Sequence, residues 1–353
     1  MNSLLPMVTV ILVNWNGWKD TIECLESVLR LNYPYFRVIV CDNASGDSSL
    51  DHIAAWANGD LSAECSSPAL LHLTSPPISK PVAYLRLNPG EFINLSQRSE
   101  KLILVQTGAN LGFAGGNNVG LRLALTAGDS EFAWLLNNDT VVDPDALTHL
   151  ARRMAEKPNA GMCGSTLLYY NVPECVQVLG GSTYSRWLAR IRQIGMGSNI
   201  RELPQPEEVE AEMQYVAGAS MLLRRDLIED VGLLDERYFL YFEEIDLAVR
   251  AREHYTLAYA QESRVYHKEG AAIGTSTRGA RRPSALAQHY ACRNRILFTR
   301  TYYPARLAPV VVATLVSALA RLLAGHVEEF HASLRGLKSG LLARSTGKII
   351  ACS

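Results

Sequence analysis

Two short stretches hold the residue types that do chemistry. Asn137-Asn-Asp-Thr140 directly follows the apolar run Phe132–Leu136. A carboxylate at that point suits a hard divalent cation, because Mg²⁺ or Mn²⁺ takes oxygen ligands and shares them with substrate phosphates. Asp139 is the candidate ligand and Asn137 a weaker, neutral one. Asp143-Pro144, just beyond, is a capping pair for a helix starting near Pro144, which accounts for Asp143 and leaves Asp139 for the metal. The second stretch, Phe239-Leu-Tyr-Phe-Glu-Glu-Ile-Asp-Leu-Ala-Val-Arg250, sets Glu243, Glu244 and Asp246 among bulky apolar residues. The helix dipole favours carboxylates at a helix start. A crowded, half-buried carboxylate can instead act as a general base. The residues alone leave both readings open. His267 ends the stretch Val265-Tyr-His267 and gains a ligand role only if the metal site exists.

Two further loops have the composition of ligand contacts. Asn110-Leu-Gly-Phe-Ala-Gly-Gly-Asn-Asn118 precedes an apolar helical pattern, and glycine-rich backbone at a helix N-terminus can present N–H groups to a phosphate. Its spacing is neither a Walker loop nor a dinucleotide fingerprint. Asp42-Asn-Ala-Ser-Gly-Asp-Ser48 could bind a base or ribose through Asp42, or merely cap the next helix through Asp47 or Ser48.

The elements that must position these loops are legible as alternating strands and helices. Val8–Val13, Arg37–Cys41, Leu102–Val105 and Phe132–Leu136 are continuous apolar runs, each followed by a polar or glycine-rich loop and then a helical pattern. Val8–Val13 is too short for a signal peptide and reads as a buried strand. Such strands form a mostly parallel sheet covered by helices on both faces, an α/β fold. Ligands then bind at the carboxyl ends of the strands, where all the loops named above fall. Residues 59–99, rich in Ser, Pro and Asn, read as an irregular insertion, and 168–212 also read as irregular. The reading places a catalytic domain over 1–283 and a basic helical extension over 284–353.

The chain of 353 residues has Lys+Arg 34 against Asp+Glu 35, which argues against nucleic acid as a partner. Residues 264–353 nevertheless carry 14 basic and 3 acidic residues. Such a basic segment suits an anionic surface. Its apolar run 307–320 is shorter than the ~20 residues of a spanning helix and reads as a helix lying on an anionic membrane surface, or else packed on the catalytic domain. The 7 cysteines are scattered, with no CxxC pair. This points to reduced thiols in the cytoplasm rather than to disulfides or zinc.

In this order the motifs resemble the inverting family 2 nucleotide-sugar glycosyltransferases of GT-A fold, over roughly residues 7–300. Val10-Ile-Leu-Val-Asn-Trp-Asn-Gly17 resembles that family's first strand and nucleotide loop, and Asp42-Asn-Ala-Ser45 its base-contacting loop. Asn110–Asn117, Asn137-Asn-Asp-Thr140, Tyr241–Arg252 and Arg293-Asn-Arg295 resemble the rhamnosyltransferase-like branch, which builds bacterial cell-surface glycans. The resemblance implies Mg²⁺ or Mn²⁺ held by Asp139, Asn137 and His267. It implies donor contacts from Asn14, Asn16, Asp42, Asn43, Asn110, Gly112, Gly115, Gly116, Asn117 and Asn138. The catalytic base falls on Glu244, with Glu243 as the competitor. The implied partners are a nucleotide sugar, with dTDP-rhamnose as first choice, and a glycan or polyprenyl-diphosphate-linked acceptor at the inner face of the cell membrane. A sugar nucleotidyltransferase and an inactive carbohydrate-binding relative are the alternatives.

Overall fold

A computed structural model of the chain describes residues 5–268 and 284–343. The expected division at 283/284 and the last ten residues of the basic extension fall outside the described residues. The elements run β1 (Val8–Asn14), α1 (Trp18–Val28), β2 (Phe36–Asp42), α2 (Ser49–Asn58), α3 (Leu71–Thr74), β3 (Tyr84–Leu87), β4 (Leu102–Gln106), α4 (Gly112–Ala127), β5 (Phe132–Asn137), β6 (Thr140–Val142), α5 (Ala146–Glu156) and β7 (Ala160–Tyr169). There follow β8 (Val172–Leu179), β9 (Gly181–Ser185), β10 (Arg190–Gln193), α6 (Pro206–Glu212), β11 (Tyr215–Val216), β12 (Ser220–Arg224), α7 (Arg225–Val231), α8 (Glu243–Ala251) and β13 (Thr256–His267). Three helices end the described chain: α9 (Ala285–Tyr302), α10 (Leu307–Leu323) and α11 (Val327–Leu342).

The main sheet has the order β3-β4-β2-β1-β5-β12-β7-β13-β6, with β8 on β7. From β3 to β5 every pairing is parallel, and β12 runs antiparallel between β5 and β7. Alternate side chains of each buried strand feed two cores. In β1, Val8, Val10 and Leu12 face the core with α1, α2 and α5, while Ile11 faces the core with α4, α8 and α9. The strand order reverses at β1, with β2 and β4 on one side and β5 on the other. That reversal opens a crevice at the ends of β1 and β5.

Several sequence expectations need correction. The segment 59–99 is not wholly irregular, because Tyr84–Leu87 pairs parallel with β4 and forms the sheet edge. The segment is tied inward through Glu26 on α1, whose buried carboxylate accepts from Trp56 Nε1 and from the Ile78 amide, each at 2.9 Å. Residues 168–212 contain β8 and most of a second sheet, ordered β10-β9-β11. β9 is small and polar, β10 is charged on one side and β8 is interrupted by Pro173, Glu174 and Gln177, so no apolar run announces them. The helix expected near Pro144 begins at Ala146, and Asp143 Oδ1 accepts from the Asp145 amide at 3.1 Å in the turn before it.

The C-terminal helices form as expected, with Ser284 Oγ capping α9 through the Ala287 amide. However, α11 does not pack through an apolar stripe. Its buried face is Ala332, Ser333, Gly336, Leu337 and Gly340. A Cβ on Gly336 would lie 2.3 Å from the His289 carbonyl oxygen, so glycine is what lets α11 lie directly on α9. In turn α9 sends Ile296, Leu297 and Phe298 into the core shared with α4 and α8. The helix α10 runs on from the turn before it as an apolar stretch of 20 residues, Pro304–Leu323, whose most apolar 18 residues have a mean hydropathy of 1.7. That is longer than the 14-residue run read from the sequence, because the helical stretch starts in the turn before Arg306 and runs on through Arg321, which lies inside α10. By length and composition it is long enough to cross a membrane.

Candidate functional site

The crevice holds a cavity of about 140 Å³. Of the expected residues, Asn43, Asn110, Gly112, Asn137, Asn138 and Asp139 line it. Trp15, Phe113, Phe239, Leu240 and Leu286 also line it and were not anticipated. Their type carries no signal, since bulky apolar residues at helical spacing look like core. Asn14, Asn16, Asp42, Gly115, Gly116, Asn117, His267, Glu243 and Glu244 lie outside the lining.

Asn14 and Asp42 instead brace the strand ends. Asn14 Nδ2 donates to Asp42 Oδ1 at 2.6 Å, and Asp42 Oδ2 accepts from Gln106 Nε2 at 3.1 Å, which joins β1, β2 and β4. Asn14 Oδ1 accepts from Thr21 Oγ1 at 2.9 Å, and Thr21 Oγ1 accepts from Asn138 Nδ2 at 2.9 Å, which fixes the loop after β5. Asn16 Oδ1 accepts from the Gly46 amide at 2.8 Å, joining the two loops above the crevice. Asn43 points inward: its Nδ2 donates to the Gly112 carbonyl at 2.8 Å, and its Oδ1 is buried without a hydrogen-bond partner. A buried amide oxygen left in this way is poised to accept from a ligand N–H.

The glycine-rich segment is helix rather than loop. The helix α4 starts at Gly112, so Gly115, Gly116 and Asn117 sit in its first turns. A Cβ on Gly116 would come within 2.8 Å of Val13 Cγ1, so this glycine lets α4 pack on β1 rather than presenting backbone to a phosphate. Asn117 Nδ2 donates to the Phe113 carbonyl at 2.9 Å within the helix. Gly112 does stand at the cavity, with φ +69° and the Phe239 carbonyl 2.3 Å from where its Cβ would be.

The Asp139 end is a compact polar cluster. His267 Nδ1 lies 2.9 Å from Gln177 Oε1, to which it donates, and this directs Nε2 at Asp139 Oδ1, 3.2 Å away. Asn137 Nδ2 is also 3.2 Å from Nε2. An imidazole fixed through one nitrogen and offering the other beside a carboxylate is the arrangement metal-binding histidines use. Among the described residues there is no group of three His, Cys, Asp or Glu placed to hold a metal. Two protein ligands, Asp139 and His267, nevertheless suit Mg²⁺ or Mn²⁺, which keeps waters and substrate phosphates in its shell. The donor set therefore fits such a cation.

The acidic stretch enters α8 through a contorted loop. Phe239, Tyr241 and Phe242 have φ of 63°, 69° and 78°, which is strained backbone for side chains of this size. Neighbours hold it there. The Phe113 amide donates to the Phe239 carbonyl at 2.7 Å. From α9, the fully buried Asn294 directs Nδ2 at the carbonyls of Tyr238, Leu240 and Tyr241 at 2.7, 2.8 and 2.9 Å. Asn294→Ala would leave the Leu240 and Tyr241 carbonyls without their donor, while the Tyr238 carbonyl keeps the Leu240 amide, and we expect it to cost about 2–3 kcal/mol, read as a lower urea midpoint. Asn294→Asp, which has no donor when ionised, should cost at least as much.

The loop delivers three carboxylates to three different settings. Asp246 is structural, bound to Arg250 Nε at 2.7 Å and Tyr302 Oη at 2.6 Å. Glu243 is buried, and burial together with the neighbouring Glu244 charge pushes its pKa well up. Glu244 is partly accessible, and burial pushes its pKa up to about 7. One oxygen of each glutamate has no hydrogen-bond partner. A Cβ on Gly218 would lie 3.1 Å from Glu244 Oε1 and 3.6 Å from Phe113 Cζ, so the Glu244 carboxylate stands beside the aromatic wall of the cavity. A larger polar cleft of about 380 Å³ lined by His149, Arg152, Arg153 and Glu262 has charges that pair with one another.

Residues 134–330 match the sequence model of glycosyl transferase family group 2, and residues 9–65 that of glycosyl transferase family 2. The low-salt glycan biosynthesis hexosyltransferase Agl10 of Haloferax volcanii is 28% identical over 148 residues, 42% of this chain and 45% of that protein. The N-acetylglucosaminyl-diphospho-decaprenol L-rhamnosyltransferase of Mycobacterium tuberculosis is 25% identical over 217 residues, 55% of this chain and 66% of that protein. The chain thus spans about half to two thirds of the length of these relatives. Among solved structures, the mannosyltransferase PcManGT from Pyrobaculum calidifontis, in complex with GDP-Man and Mn²⁺, superposes with a TM-score of 0.53 at 14% identity, covering 96% of this chain and 88% of that one. GalNAc-T7 with UDP, GalNAc and Mn²⁺ gives 0.56 at 12% identity, covering 86% and 49%. These structures share the fold, and with the family match covering more than half of its length the chain belongs to the family 2 glycosyltransferases of GT-A fold.

Proposed function

We propose that the protein is an inverting, metal-dependent glycosyltransferase of cell-surface glycan synthesis. The observation that carries this reading is the Asp139–His267 cluster at one end of the cavity together with Glu244, beside the Phe113 wall of the same cavity and with its pKa pushed up to about 7. Asn43 Oδ1 accepts from an N–H of the donor base, and Trp15, Phe113 and Phe239 enclose the nucleotide. Asp139 and His267, with the Asn137 amide turned to present its oxygen, would hold Mg²⁺ or Mn²⁺, which when bound would neutralise charge on the donor diphosphate. Glu244 takes the proton of an acceptor hydroxyl as the acceptor oxygen bonds to the anomeric carbon and the bond from that carbon to the diphosphate breaks. Attack opposite the leaving group inverts the configuration, and no covalent enzyme intermediate forms. Glu243, held protonated by burial, keeps like charge off Glu244.

For the donor sugar we propose rhamnose carried on dTDP, and for the acceptor a polyprenyl-diphosphate-linked glycan, in line with the Mycobacterium tuberculosis relative. Such an acceptor puts the enzyme in the cytoplasm, peripherally on the inner face of the cell membrane. A panel of nucleotide sugars with Mn²⁺ and a lipid-linked N-acetylglucosamine acceptor tests the reading. The expected result is nucleoside diphosphate release, fastest with dTDP-rhamnose. Release of pyrophosphate instead, or turnover of no donor, would overturn it.

A further inference from the structure

One surface of the molecule is apolar without being covered. In α10 only Val310, Thr314 and Ala318 are buried, an i, i+4, i+8 stripe on the side that packs on α9 and α11. On the other side Val312, Leu315, Val316, Leu319, Leu322 and Leu323 are 37–89% exposed. Contiguous apolar surface of this kind on a folded protein marks an interaction site.

The patch does not end with the helix. The tip of the β9–β10 hairpin exposes Trp187 and Leu188, and the Arg306 guanidinium at the start of α10 sits 3.2 Å from the centre of the Trp187 ring. The hairpin thus adds a tryptophan to the end of the apolar ridge. Segments 182–200 and 301–325 contain five arginines, at 186, 190, 192, 306 and 321, and no acidic residue. Arg192 is paired with Glu212 from α6. An apolar ridge with a tryptophan at its end and cations along it matches an anionic lipid surface in both polarity and charge.

We propose that the outer face of α10 and the Trp187–Leu188 tip form one docking surface that lies in the headgroup region of an anionic bilayer. The helix lies in the plane of the membrane rather than across it. A spanning α10 would carry with it α11, packed against its inner stripe, and so draw Glu328, Glu329, Arg335 and Lys338 into hydrocarbon. The same α9 that backs α10 contributes Leu286 to the cavity, so docking sets the cavity at a fixed station relative to the lipid. The inference rests on the proposed lipid-linked acceptor for its purpose but not for its observations.

The experiment is flotation of the full chain with phosphatidylcholine vesicles, with and without phosphatidylglycerol. No substrate is present, so its failure leaves the transferase reading standing, and the converse holds. Binding is expected with the anionic vesicles at low salt, weakened by added salt. The double variant Val316→Glu/Leu319→Glu should bind at least about tenfold less and Trp187→Ser about threefold less, with unchanged circular dichroism and unchanged turnover of a soluble acceptor. Failure to float, equal binding to neutral vesicles, or full binding by the double variant overturns the proposal. So does a dimer in light scattering that Val316→Glu dissociates while the chain ignores vesicles, which would give the surface to a second copy.

Discussion

Glu244→Gln is expected to lower kcat by about 10²–10⁴-fold, the usual contribution of a general base, while leaving donor affinity within about threefold. It should also make the protein more stable in mild alkali. Burial raises the Glu244 carboxyl from its ordinary 4.5 to about 7, so the folded chain holds this proton more tightly than the unfolded chain. Where the folded state binds more protons, stability falls as pH rises. The Glu244 contribution is therefore intact below pH 4.5 and is lost through the window from 4.5 to about 7; above it an ionised carboxylate sits in a desolvated place. Glutamine never ionises, so the variant should match the wild type in melting temperature near pH 4.5 and exceed it at pH 8. Wild-type activity should climb over the same window as the base ionises. The companion Glu243→Gln mimics the protonated form already present and should stay active. If it is the inactive variant and Glu244→Gln turns over normally, the roles of the two residues are exchanged.

Chelation should have an effect of similar size. Asp139→Ala is expected to reduce transfer by ~10²–10³-fold, equivalent to the several kcal/mol a cation contributes to charge stabilisation. It should also weaken binding of the bare nucleoside diphosphate, measured by calorimetry in the presence of Mn²⁺. EDTA should abolish turnover, and Mn²⁺ or Mg²⁺ should restore it. His267→Ala should lose about tenfold, since Asp139 and the phosphates remain as ligands. Full activity in EDTA would remove the metal and the role of His267 together. Unchanged diphosphate affinity in Asp139→Ala would remove the bridging geometry.

The sequence made some of this plain and concealed the rest for physical reasons. Strands buried on both faces must be apolar throughout, so β1, β2, β4 and β5 stood out as runs. The polar residues after β5 could only face a crevice, so Asp139 and Asn137 were legible as a site. The edge strand β3 has four residues, and its Tyr-Leu-Arg-Leu alternation is lost in a segment dominated by Ser and Pro. The aromatic wall was hidden because Phe113 and Phe239 are indistinguishable in type from core residues. The left-handed backbone at Phe239, Tyr241 and Phe242 was hidden for a stronger reason, since no local preference asks for it there. It is imposed from α9, more than 50 residues further on. The one trace of that constraint was Asn294 itself, a short amide just before the apolar run Ile296–Phe298 of α9.

The Asn294 contacts also bear on the order in which the molecule is made. A chain that emerges from the ribosome N-terminus first can form strands β3 to β5 and their strand-end braces from the first 140 residues or so, while β13 at Thr256–His267 joins the sheet later. Domains generally fold as they appear, at ~5–20 residues per second. The Phe239 carbonyl has its donor in Phe113, but the Leu240 and Tyr241 carbonyls wait for Asn294, and α11 closes on α9 only once Gly336 and Gly340 are in place. The nascent chain therefore passes through a stage with the strand ends of the crevice formed but the loop before α8 incompletely held. Competence arrives late, with the closing of the C-terminal helices, and nucleotide binding should precede transfer activity as synthesis proceeds.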